Sequence, residues 1–109
     1  MSKSILQRGS DNVYADLEFP NAEEMQAKAM LASRILSIVE KKKWTQAEAA
    51  KKLGITQPKI SLLKRGQFSG FSMEKLIKLL NKLNQDVQIL IKSKPVLVKH
   101  TGHISVAYV

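Results

Sequence analysis

The stretch Trp44-Thr45-Gln46-Ala47-Glu48-Ala49-Ala50-Lys51-Lys52-Leu53-Gly54-Ile55-Thr56-Gln57-Pro58-Lys59-Ile60-Ser61-Leu62-Leu63-Lys64-Arg65-Gly66 decides the fold. Thr45 followed three residues later by Glu48 is a capping box, in which the hydroxyl and the carboxylate each satisfy an amide left unpaired by the first helical turn. A short helix follows, and Gly54 ends it, because glycine enters the left-handed region without a Cβ penalty. Thr56 caps a second helix. Pro58 sits near its start, where a missing amide hydrogen costs nothing, and Gly66 closes it. Small Ala47 and Ala50 are expected to let the two helices approach closely.

Two capped helices joined by a glycine turn make a helix-turn-helix, whose second helix enters the major groove of duplex DNA tip first. Ala50, Leu53, Ile55, Ile60 and Leu63 are the expected buried positions. Gln57, Pro58, Lys59, Ser61, Leu62 and Lys64 then face outward, as a polar and basic surface almost free of acid.

Upstream, Pro20-Asn21 breaks the chain, and Asn21 with Glu24 three residues on reads as another helix start. Met25, Ala29, Ala32, Ile35 or Leu36, and Val39 recur at steps of three and four, which predicts an apolar stripe on a helix ending at Lys41-Lys42-Lys43. Downstream, Ser72 caps a helix with Met73, Leu76, Ile77, Leu80 and Leu83 on one face. The period then falls to about two: Val87, Ile89 and Ile91 alternate with Gln88, Leu90 and Lys92, and Ile104, Val106 and Tyr108 alternate after a Thr101-Gly102 turn signal, so C-terminal strands are expected. The predicted architecture is mainly α. It is a bundle of four to five helices with C-terminal β-strands, divided into a flexible tail (1–12), a helical domain (13–84, motif 45–66) and a strand region (85–109) that is the candidate dimerisation element, strands folded back within the monomer being the alternative.

At 109 residues the chain holds one modest core. Its 44% hydrophobic and 25% charged content is that of a folded protein and excludes wholesale disorder. The formal charge is +9, unevenly spread: residues 1–30 carry three basic side chains against five acids, and residues 31–109 carry fifteen against four. Such a body attracts polyanions, nucleic acid or anionic membranes. The absence of Cys excludes disulfides, thiol nucleophiles and cysteine-based zinc folds. Residues 1–12 hold no apolar run of signal-peptide length, and no stretch reaches the roughly 18 apolar residues of a membrane span, so a cytoplasmic protein is expected.

The motif resembles the Xre family, which includes the lambda-type phage repressors and Cro. The likeness rests on the glutamine after the first cap, the alanine, the turn glycine, the Thr56-Gln57 opening and the closing glycine. Asn12-Val13-Tyr14-Ala15-Asp16-Leu17, Phe19-Pro20-Asn21-Ala22-Glu23-Glu24, Ser69-Gly70-Phe71-Ser72 and Asp86-Val87-Gln88-Ile89 extend it to small Xre regulators grouped with HigA-type antitoxins. The resemblance implies a lambda-repressor-like fold with the following roles. Gln46 touches a backbone phosphate and braces the second helix. Thr56 and Gln57 head the recognition helix, where a glutamine pairs bidentately with adenine. Lys59 and Ser61 take the next outward positions, and Lys64 and Arg65 meet phosphates. Pro58 and Leu62 depart from the family pattern by replacing polar readers, and Leu62 is suited to a thymine methyl.

One motif on so short a chain buries too little DNA surface for tight binding, so a homodimer on two half-sites is expected. The acidic N-terminal segment, with Val13, Tyr14, Leu17 and Phe19, suits a cationic partner chemically. The HigA likeness implies that this partner is a small basic RelE-like toxin; a capping arm packed on its own domain is the plainer alternative. Trp44 is expected as a core lid rather than a base-stacking platform. His100 and His103 lack a third metal ligand, and no cofactor is expected. Function therefore reads as a sequence-specific repressor, the antitoxin of a type II pair. A stand-alone or phage-type repressor is the alternative, and a RelE-like ribonuclease built on His100 and His103 is the least supported.

Overall fold

The computed structural model describes residues 22–93 and 102–109, and these form four helices: α1 (Ala22–Lys41), α2 (Gln46–Leu53), α3 (Gln57–Lys64) and α4 (Met73–Lys82). The start signals act where the sequence places them. Thr45 and Glu48 make both capping-box bonds, Thr56 accepts from the Lys59 amide, and Ser72 accepts from the Lys75 amide. The expected cap at Asn21 lies outside the described residues.

The helix ends share one device. Lys43, Gly54, Gly66 and Asn84 all adopt positive φ, between 59° and 76°. After each, the next amide reaches back to a carbonyl five residues earlier: Trp44 to Val39, Ile55 to Ala50, Gln67 to Leu62 and Gln85 to Leu80, at 2.9–3.3 Å. This is the Schellman closure, and it satisfies carbonyls that a frayed end would leave unpaired. At α1 the left-handed residue is a lysine, which accepts a strain that glycine would avoid.

The core lies where α1 packs chiefly on α4 and α2 chiefly on α3. Ile35, Leu53, Ile60, Leu63, Phe71, Leu76 and Leu79 are its largest fully buried side chains. Within the motif, Ala50, Leu53, Ile60 and Leu63 are buried as expected, while Ile55 is half-buried against the core's edge. Three details correct the sequence reading. Ala47 is exposed, and Ala49 with Ala50 is what brings α2 close to its neighbours. The buried stripe of α1 runs through Ala27, Leu31, Ala32, Ile35 and Val39, rotated from the expected one, because Ala29 and Leu36 line an open groove with Trp44 and Phe68. Leu79 joins Leu76, Leu80 and Leu83 on the inner face of α4, while Met73 and Ile77 are only half-buried. A face wider than one stripe explains this: α4 is covered by two helices, and a helix between two neighbours buries more than one row.

The C-terminal strands are not present in the described residues. Residues 84–93 and 102–109 carry no strand, and 86–93 make no backbone hydrogen bond to another described residue. A strand needs a neighbour to pair with, and the described part of this chain offers 86–93 none. The last segment instead lies along α1. The His103 Nδ1 contacts the Glu23 carboxylate, the Ile104 amide donates to Glu23 Oε1 at 3.3 Å, and the Tyr108 hydroxyl donates to the Met30 carbonyl beneath the Arg34 guanidinium, 5.0 Å from the ring centre. Val106 between them packs on the core.

Candidate nucleic-acid interface

Helix α3 is short because its sequence opens and closes it within eight residues: Thr56 and Pro58 set its start, and Gly66 in the left-handed region stops it. Ile60 and Leu63 anchor one side in the core at 1% exposure each. Helical periodicity then turns the other side outward. Thr56, Gln57, Pro58, Lys59, Lys64 and Arg65 are exposed, and Ser61 is half-buried beside them. Leu62 differs from expectation. It is half-buried against the core, so less of it is free for a thymine methyl than an outward reading implies. Gln46, the first residue of α2, is half-buried at the foot of the motif.

Contacts from outside the motif hold this rod in place, and the sequence reading missed them. Lys82, at the end of α4, donates from Nζ to the Leu53 carbonyl at 3.0 Å, placing a cation at the negative end of α2. A Cβ on Gly54 would come within 2.8 Å of that same Nζ, the movable end of a flexible side chain, so it is the φ of 71° rather than space that calls for glycine at this turn. Lys59 lies 5.3 Å from the ring centre of buried Phe71, a cation–π contact joining α3 to the loop before α4. Trp44 is half-buried on the core with Lys52 6.0 Å from its ring, which fits a lid. Lys82 stands 29 residues beyond Leu53 in sequence, and no spacing rule connects the two; its position in the last turn of a helix was the one signal available.

The chemistry of the surface is that of a polyanion reader. No acid lies in the first turn of α3, Lys64 lies in its last, and Lys51 and Lys52 are exposed on α2. The nearest acid in the motif, Glu48, has one carboxylate oxygen engaged by the Thr45 amide at 2.8 Å. Amide-bearing Gln57 can pair with base edges, and the lysines and Arg65 can neutralise phosphates. Among the described residues, 102–109 are held on α1 and leave this face uncovered. Fold and face together define a helix-turn-helix DNA-binding domain.

Similarity to known proteins carries this class to a family. The helix-turn-helix domain family matches residues 13–92. A solved structure described as a putative XRE family transcriptional regulator superposes with a TM-score of 0.74 at 43% sequence identity, covering 83% of this chain and all of that one. The protein belongs to the helix-turn-helix domain family, in its Xre-type branch, a family of DNA-binding proteins rather than enzymes. No curated protein is similar enough to match.

The N-terminal candidates Val13, Tyr14, Leu17 and Phe19, and His100, lie outside the described residues. Among the described residues no three His, Cys, Asp or Glu side chains gather as metal ligands, and no helix is long and apolar enough to cross a membrane.

Proposed function

We propose that the protein is a cytoplasmic transcription regulator that occupies operator DNA as a homodimer and represses, with Gln57 reading a base and Lys64 and Arg65 holding phosphates. One observation carries this reading: among the described residues, the outer side of α3 presents amide and cationic side chains to solvent, uncovered by residues 102–109. The relative described as a transcriptional regulator shares the fold at 43% identity, which supports the regulatory role.

The finer proposal makes it the antitoxin of a type II pair. Its support is the contrast between the acidic head, with Asp11, Asp16, Glu18, Glu23 and Glu24, and the basic body behind it. DNA repels such a head, whereas a cationic partner is attracted to it. The test is a mobility shift on the DNA upstream of the protein's own gene, with and without the product of the adjacent reading frame. A shift that the neighbouring product strengthens or supershifts supports both proposals. A shift it leaves unchanged supports a stand-alone repressor, and no shift at low salt refutes the operator reading.

A further inference from the structure

Residues 86–93 follow α4 without a backbone hydrogen bond to another described residue, and they hold the three adjacent exposed apolar side chains Ile89, Leu90 and Ile91, 79%, 82% and 90% accessible. On a chain of +9, the five residues Val87-Gln88-Ile89-Leu90-Ile91 carry no charge at all. They offer DNA nothing to neutralise. Their β-branched content favours a paired strand, and an exposed apolar edge of this kind is a template for strand addition.

The run is bracketed by Asp86 and Lys92, and that asymmetry identifies what pairs with it. A parallel copy would set Asp86 against Asp86 and Lys92 against Lys92. An antiparallel copy centred on Ile89 sets Asp86 against Lys92 at both ends, Val87 against Ile91 and Gln88 against Leu90. Opposite charges across a strand pair stabilise it and like charges oppose it. In that register Val87, Ile89 and Ile91 of both copies share one face. Val87 already packs on the core, so the apolar face of the ribbon continues the core of each protomer.

We infer that two copies of this chain dimerise through an isologous, antiparallel two-stranded ribbon of residues 86–92, with Ile89 on the two-fold axis and an Asp86–Lys92 ion pair at each end. The inference rests on the homodimer reading above and adds the surface and the register.

The test uses the full-length protein in sedimentation equilibrium at low salt. The wild-type protein is expected to be a dimer. Ile89→Arg, which sets two cations face to face on the axis, is expected to leave a monomer with an unchanged helical circular-dichroism spectrum, because Ile89 is exposed in the single chain. Asp86→Lys is expected to weaken dimerisation about tenfold, and Asp86→Lys with Lys92→Asp to restore it. Because the chain has no cysteine, Ile89→Cys reports its own position alone. Antiparallel partners stand about 4.5–5.5 Å apart at Cα, within disulfide reach, so mild oxidation is expected to link two chains. A wild-type monomer with no Ile89→Cys cross-link overturns the inference and the homodimer reading together. A stable dimer in which the charge exchange fails to restore the affinity that Asp86→Lys removes overturns the register alone.

Discussion

Gln57 and Lys64 stand at opposite ends of the same eight-residue helix and should fail differently. Both are exposed, so removing either leaves the core intact. Gln57→Ala removes a donor and acceptor that can meet one base; operator affinity should fall by about 1–3 kcal/mol and preference should relax at one base pair, read by titrating single-substitution operators. Lys64→Ala should weaken operator and random DNA alike and reduce the slope of log affinity against log salt by about one, because one phosphate is no longer neutralised. A Gln57→Ala protein that keeps full discrimination would remove that residue from the reading face. Both residues were legible in the sequence, because caps and periodicity fix which side of a short helix turns outward. Leu62 was not: whether a residue at the margin of a face leans inward depends on the helices beside it.

At the scale of elements, the motif is positioned from behind. The bond from Lys82 to the Leu53 carbonyl ties the end of α4 to the end of α2, beside the turn that aims α3. Lys82→Met keeps the aliphatic stem and removes the bond and the charge. It should lower stability by about 0.5–1.5 kcal/mol in urea denaturation. It should also weaken operator binding while leaving the salt slope unchanged, which separates a positioning lysine from one that touches phosphate; a slope reduced by one would place Lys82 on the DNA instead. Helix identity and boundaries were readable because the starts of α2, α3 and α4 each carry a side-chain cap and two of the ends carry glycine. The exact buried rows of α1 and α4 were not. A stripe drawn from spacing alone cannot tell which neighbour covers it, and an open groove leaves Ala29 and Leu36 partly exposed.

Across the whole molecule, the C-terminal segment binds the first helix through Tyr108. Burial pushes its phenol above the ordinary value of about 10, against the pull of the neighbouring Arg34 cation. The folded state thus prefers the neutral phenol. The stability this contributes is complete below pH 10 and is lost as pH rises through the folded-state value. The difference in unfolding midpoint between the wild-type protein and Tyr108→Phe should hold steady from pH 7 to 9 and shift against the wild-type protein above pH 10. A difference that stays flat through pH 11 would show that the phenol is not held neutral by the fold.

Local chemistry in the chain was enough to specify four helices, the glycine turn and the outward amide and cationic side chains of α3, since each depends on residues within a few positions of one another. Tertiary structure alone decided that Ala49 rather than Ala47 lets α2 pack closely, that Lys82 braces the motif, and that residues 102–109 lie on α1. It also left the alternating run at 87–91 without a described partner. Those outcomes depend on contacts between groups tens of residues apart, and a strand, unlike a helix, has no hydrogen-bond partners within itself.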